Sequence, residues 1–412
     1  MSAITSLDLD FIRQQFPNQH WQWSFFENAG GAFVPNSVIN RMSSYMSETQ
    51  VQPGYPNSVS MDAAKRMNHG HQLMAEFIGA DRNEVTISAS TSINIYVLAQ
   101  ALRGLWQAGD EIIVSTLNHE ANSGPWRRLE EFGIKIVEWP CSLDSPSLDV
   151  NELDQLLSDK TRLVAFPHVS NITGDINDVK AITARVHEAE ALVCVDGVAY
   201  APHRTVDVKD WNVDFYVFSF YKVFGPHLGC IYGKKEILLD AKGQGHYFFP
   251  EDDLAHKLNP AGPNHESIAA LVGIADYFDC LYEHHFEEEN ANFFQRARKV
   301  YALISEHEQS LAQYFLDFIK DKKQIRLIGR MEAGRDARVP TFSMQFEDVS
   351  SLSVPSLMAK DKVAIAAGHF YAKRFLDSVN LEEKDVVRCS MAHYNTHEDV
   401  ERLIRSLDSL LS

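Results

Sequence analysis

From about residue 80 to 235, short runs of β-branched and aromatic residues alternate with longer stretches whose apolar positions recur at helical spacing. That alternation predicts βα units and a mostly parallel sheet. The strand candidates are EVTIS (84–88), EIIVS (111–115), KIVEW (135–139), RLVAF (162–166), LVCVD (192–196), FYVFS (215–219) and CIYG (230–233). Several are apolar throughout, as a sheet covered on both faces requires. Between the first two, Ile93, Val97, Leu98, Ala101, Leu102 and Leu105 form a helical stripe behind Ser and Thr residues. A helix is therefore expected whose N-terminus follows a strand.

Around 255–267 the pattern gives way to Pro, Gly and Asn (LNPAGPNHES), and a long, broken helical stretch follows from near 267 to about 320. Strands are expected at 325–329, 339–346, 363–367 and 386–393, interleaved with helices. In the final helix Thr396 and Asp399 stand at capping-box spacing before Val400, Leu403, Ile404 and Leu407. The first 50 residues show no sheet of their own. The expected organisation is α/β: an N-terminal segment (1–50) packing with the small domain, a large domain (51–265), and a long helix with a smaller α+β domain (266–412).

Composition narrows the function. The chain has 412 residues, enough for a sizeable core, and a formal charge of −18. That charge opposes nucleic acid and anionic membranes as partners, although one basic pocket can still hold a small anion. The start, MSAITSLDLDFIRQQF, lacks the charge and apolar layout of a signal peptide, and no run approaches the length of a membrane span, so a cytoplasmic protein is expected. Cys141, Cys194, Cys230, Cys280 and Cys389 are odd in number and widely spread, which argues against a disulfide framework and a structural metal. Cys194 and Cys230 lie in apolar runs and read as small buried hydrophobes.

Lys222 stands in DFYVFSFYKVFGPHLG, just beyond an apolar strand and before a Gly-Pro turn. Burial there lowers an amine's pKa and makes it a nucleophile, whereas a lysine snorkelling from the strand end is the plain alternative. Asp196 ends LVCVD, where ligands bind at the carboxyl ends of parallel strands, although an acid at that place can also simply cap a turn. Together the two match what pyridoxal 5′-phosphate needs: an amine for its aldehyde and a carboxylate for its pyridinium nitrogen. SASTSIN (88–94) places Ser90, Thr91 and Ser92 at a helix N-terminus, as phosphate binding or ordinary capping would. Ser219 adds a hydroxyl near the lysine, and His119 follows another strand, where an imidazole can stack on a ring or lie exposed.

These residues fall within ordered motifs: FFENAGGAFVP (25–35), NHEANSGPW (118–126), HVSNITGDIND (168–178), VDGVAYAPH (195–203), SFYKVFGPHLG (219–229), AAGHFYA (366–372) and VVRCSMAHYNT (386–396). Over nearly its whole length the chain resembles the class V aminotransferase family of fold type I pyridoxal phosphate enzymes, near the cysteine desulfurases and kynureninases. The resemblance implies a catalytic set of Lys222, His119 and Asp196. Lys222 would hold the cofactor as a Schiff base, Asp196 would pair with the ring nitrogen and His119 would stack on the ring. It further implies phosphate contacts from Ser90, Thr91 and Ser219, a cofactor contact from Tyr221, and Asn171 on the ring oxygen or the substrate carboxylate. Arg388 would bind that carboxylate, for which a guanidinium fork is suited. A homodimer is implied as well, with the motif of Gly262 and Asn264 reaching the neighbouring site.

The sequence also departs from the desulfurase pattern. Where those enzymes carry a nucleophilic cysteine on a mobile loop, this chain reads Gly368-His369-Phe370-Tyr371. A phenol cannot accept sulfur as a persulfide, so Tyr371 becomes a candidate substrate contact. Ala199, Tyr221, Ala366 and Gly262 replace a glutamine, a histidine, an arginine and a threonine of the family pattern. The reading is thus a pyridoxal phosphate enzyme acting on an amino acid, with lyase chemistry at Cα or Cβ and no cysteine persulfide. An aminotransferase or epimerase, and a non-catalytic interaction protein of the same fold, are the alternatives.

Overall fold

The computed structural model describes residues 6–143, 146–287 and 290–411. The first five residues of the N-terminal segment and the last residue of the chain therefore lie outside it. The strands in chain order are β1 (Ser24–Phe25), β2 (Val85–Ser88), β3 (Glu111–Ser115), β4 (Lys135–Trp139), β5 (Thr161–Pro167), β6 (Leu192–Asp196), β7 (Phe215–Ser219) and β8 (Gly229–Gly233). They continue with β9 (Ile325–Ile328), β10 (Thr341–Phe346), β11 (Val363–Ala364), β12 (Ala366–Gly368) and β13 (Val386–Ser390).

Seven of them form one sheet in the order β2-β8-β7-β6-β5-β3-β4. All neighbours pair parallel except β8, which runs antiparallel to both β2 and β7. Strands β6 and β7 are nearly or wholly buried along their length, as continuous apolar runs covered on two faces must be. One face packs Val164, Phe166, Val193, Val195, Tyr216 and Phe218 into a core with helices Ser58–Phe77 and Val272–His285. The other packs Ile112, Val114, Leu163, Ala165, Cys194 and Val217 against helix Thr91–Leu102.

That helix sits where the sequence predicts it, but its buried face is turned. Ile95, Leu98, Ala99, Ala101 and Leu102 are buried, whereas Ile93 and Leu105 of the expected stripe are exposed. The helix ends at Leu102 and tightens into a 3₁₀ turn over Arg103–Leu105, so Leu105 leaves the α-helical phase.

The second sheet, β12-β13-β10-β9, is antiparallel throughout. The single strand expected at 363–367 is in fact two. Residues 363–364 pair in parallel with β1, whereas 366–368 pair with β13, and buried Ile365 lies at the change of sheet. The N-terminal segment thereby joins the C-terminal region through β1. Helix Phe293–Lys320 spans both cores: Val300, Tyr301 and Ile304 belong to the large-sheet core, and Leu311, Phe315 and Ile319 to the small-sheet core. In the final helix, His397–Leu410, the side chains of Thr396 and Asp399 bond each other's backbone N–H in the expected capping box.

Candidate functional site

Because β2, β3, β5, β6 and β7 point the same way, the turns at their carboxyl ends open onto one crevice, the place where parallel sheets leave backbone and polar ends free for a ligand. Ser90 to Ser92, His119, Asn171, Asp196, Ser219, Tyr221 and Lys222 all line a single pocket there. Of the first three, Ser90 caps helix Thr91–Leu102 after the turn from β2, and Thr91 and Ser92 open its first turn. Gly229 on β8 permits this turn to lie so close: a Cβ at that position would stand 2.3 Å from the Thr91 nitrogen.

Lys222 closes a 3₁₀ turn that follows β7 and is only 8% exposed. Burial lowers its pKa to about 7, the Arg388 charge adds to that effect, and Asp196 opposes it. No hydrogen-bond acceptor among the described residues reaches its amine. A snorkelling lysine would present its ammonium to water, so the plain alternative does not describe this side chain.

Asp196, at the end of β6, is 5% exposed and its pKa is raised to about 6 by burial. One oxygen accepts from the Val198 amide at 2.9 Å, a local turn cap. The other has no partner among the described residues. The side chain thus fulfils the modest role of a cap and still offers an acceptor to the pocket.

His119 Nδ1 accepts from the Ala121 amide at 3.0 Å, which leaves the proton of a neutral ring on Nε2. Burial, together with the charges of Lys222 and Arg388, lowers its pKa to about 3, so the ring is neutral at physiological pH. Ser90 Oγ caps the helix by accepting from the Ile93 amide at 3.2 Å. Thr91 and Ser219 face each other with their hydroxyls 2.8 Å apart. With the first-turn amides, which have no intrahelical acceptor, these groups form a donor-rich end to the pocket. Tyr221 stacks on His227 at 4.8 Å, and its carbonyl accepts from the Ala32 amide.

Arg388 arrives from the other sheet, in the middle of β13 opposite Ser343 and Ala366. It is 5% exposed, and its guanidinium has no ion-pair partner among the described residues. Nη1 donates to the Asn171 carbonyl at 3.2 Å, and the Phe370 ring lies against the guanidinium with its centroid 3.9 Å away. The Asn171 side chain donates to the Phe370 carbonyl at 2.8 Å, so its amide nitrogen is engaged by protein. Tyr371 is 68% exposed, its ring 5.2 Å from that of His119.

Sequence reasoning did not single out Phe370 against Arg388, nor Gly30 and Gly31 beside Arg388 and Tyr221. A Cβ at Gly30 would stand 3.7 Å from Arg388 Nη2, and one at Gly31 would touch Tyr221. The Ala-Gly-Gly run of the N-terminal motif was the available signal for the glycines; Phe370 had none. Cys141, Cys194, Cys230 and Cys389 are buried and Cys280 is partly so; none lines the pocket.

The model of the aminotransferase class-V family matches residues 24–403. The aminotransferase-like protein FGM3 of Gibberella zeae is 37% identical over 418 residues, covering 99% of this chain and 100% of that protein. The cysteine desulfurase-like protein ustD of Aspergillus flavus is 32% identical, covering 98% of this chain and 91% of its own. The crystal structure of the cysteine desulfurase CsdA (S-sulfonic acid) of Escherichia coli superposes with a TM-score of 0.82 at 25% identity, over 98% of each chain. The chain therefore belongs to the class-V aminotransferase family and has the fold type I α/β architecture of its cysteine desulfurase-like members.

Proposed function

We propose that this protein uses pyridoxal 5′-phosphate to break a Cα or Cβ bond of an amino acid, without passing sulfur through a cysteine. Family membership implies the cofactor, and the pocket fits it. The observation that carries the reading is the pairing, in one buried crevice, of an amine without a hydrogen-bond acceptor (Lys222) and a carboxylate with one unused oxygen (Asp196). Lys222 would hold the cofactor covalently and Asp196 its ring nitrogen. His119 and Tyr221 would flank it, and Ser90, Thr91 and Ser219 would take the phosphate.

When bound, pyridoxal phosphate supplies a sink for the electron pair left on Cα when a bond there is broken. The protein's part is to bind, orient and move protons. Lys222, with a pKa brought near neutrality by burial, can take a proton from Cα and return one at Nζ. Buried Asp196, as an anion, favours a positive ring nitrogen through charge and hydrogen bonding. Arg388 offers donors to a carboxylate, which orients the α-amino acid. Tyr371, exposed beside His119, stands where a substrate's side chain would enter.

Support for a reaction without a persulfide comes from the cysteines, none of which lines the pocket, and from burial, which pushes the Cys141 thiol up to about 12. The exposed pair Tyr247 and Phe248, in the segment before helix Leu254–Lys257, supports a homodimer, which light scattering would test. The test of the reaction is product analysis across an amino-acid panel. Ammonia, pyruvate or sulfide without a 2-oxo-acid acceptor is the expected result. Transfer of the amino group to an added 2-oxo acid would overturn it in favour of an aminotransferase. Absence of any turnover with cofactor bound would favour a non-catalytic role.

A further inference from the structure

We propose that Phe370 is a positioning residue for substrate recognition: its ring carries the Arg388 guanidinium and fixes the plane in which Arg388 meets the substrate carboxylate. The inference rests on Arg388 being the carboxylate site.

A guanidinium taken out of water needs compensation. An acidic partner would supply it, but that partner would occupy the N–H fork a substrate carboxylate must use. An aromatic face compensates differently. It attracts the cation through the ring quadrupole from above the guanidinium plane and consumes no N–H. Arg388 has this second arrangement: the Phe370 centroid lies 3.9 Å from the guanidinium carbon, one donor, Nη1, is spent on the Asn171 carbonyl, and the Glu27 charge supports the cation without an ion pair that would occupy the fork. Nε and Nη2 have no acceptor among the described residues. Arg338 shows the contrast. It too lies on a ring, Phe342 at 4.3 Å, but all its nitrogens donate to backbone carbonyls, those of Thr173, Arg330, Val339 and Thr341. Arg338 spends each of its nitrogens on the backbone, whereas Arg388 keeps Nε and Nη2 for a ligand.

The chain holds Phe370 in place at a conformational cost. Phe370 (φ +46°) and Tyr371 (φ +58°) are consecutive non-glycine residues in the left-handed region, which bulky side chains rarely adopt. Three contacts stabilise the turn. Asn171 Nδ2 donates to the Phe370 carbonyl at 2.8 Å, the Glu120 amide donates to the Tyr371 carbonyl at 2.8 Å, and the Glu120 carboxylate takes both Nε and Nη2 of Arg374. Asn171 therefore grips the arginine through its carbonyl and the phenylalanine through its side chain. A shift of either would disturb the other.

The test is equilibrium binding to the holoenzyme by calorimetry, with two probes. 2-Methylalanine is an α-amino acid without a Cα hydrogen; isopropylamine is its counterpart without the carboxylate. Phe370→Leu keeps apolar bulk but loses the quadrupole, and is expected to weaken 2-methylalanine about tenfold while leaving isopropylamine unchanged. Phe370→Tyr should retain wild-type affinity for both, and the visible spectrum of the bound cofactor should be the same in each variant. Phe370→Leu with wild-type affinity for both probes, or with equal losses on both, would overturn the positioning role. Arg388→Ala is the control for the underlying reading. If the wild type shows no carboxylate-dependent difference, or Arg388→Ala retains it, Arg388 is not the carboxylate site and the role of Phe370 falls with it. If Arg388→Ala abolishes the difference while Phe370→Leu preserves it, only the proposal about Phe370 fails.

Discussion

Replacing Lys222 with methionine should stabilise the cofactor-free protein, and the gain should depend on pH in a defined way. Lys222 is buried, its amine has no acceptor, and its pKa in the folded chain is about 7 against an ordinary 10.5. Between those values the unfolded chain binds a proton that the folded chain does not, so stability rises with pH through this window. The cost of the buried charge is fully present below about pH 7 and has vanished above about pH 11. The gap corresponds to roughly 4 to 5 kcal/mol. Methionine also removes the positive charge that favours ionised Asp196, which offsets part of the gain. The expected net stabilisation is therefore about 2 to 4 kcal/mol at pH 6, falling to less than about 1 kcal/mol at pH 10.5. Urea unfolding of the cofactor-free wild type and variant, followed by far-ultraviolet circular dichroism at both pH values, measures it. A variant less stable than wild type at pH 6, or a difference independent of pH, would refute the claim that the fold holds this amine at a cost.

Other outcomes follow from the same site. Lys222→Ala should abolish the borohydride-reducible visible absorption of bound pyridoxal, and peptide mapping of the reduced wild type should find the adduct on Lys222. An adduct on another lysine would contradict the assignment. Asp196→Asn should cost far more turnover than cofactor affinity, because a neutral amide does not stabilise a positive ring nitrogen; wild-type turnover would remove Asp196 from that role. Arg388→Ala should raise KM for α-amino acids by roughly ten- to a hundredfold, the worth of one charge-assisted contact, and affect amines without a carboxylate much less. Equal losses on both substrate types would make Arg388 structural.

The sequence by itself determined the large sheet. Its strands are continuous apolar runs, since a parallel strand covered on both faces needs no alternation, and LVCVD and FYVFS occupy β6 and β7 residue for residue. It also marked Lys222 and Asp196 as candidates, because a charge at or just beyond the end of such a run is poorly placed in a core, while the snorkelling and turn-capping alternatives stayed open on sequence grounds. Tertiary structure decided what local pattern does not carry. The phase of helix Thr91–Leu102 was set by the sheet beneath it, which buried Ile95 and left Ile93 outside. The split of 363–367 was decided by two partners in different sheets, β1 and β13, each far away in sequence. Arg388 could have been an internal ion pair on sequence grounds; folding set it in no ion pair among the described residues, with the Glu27 charge nearby and Asn171 and Phe370 from two other loops against it. The role of Phe370 was not legible at all, because an aromatic ring beside a guanidinium is a contact between segments, and hydrophobic periodicity records only which side of an element faces the core.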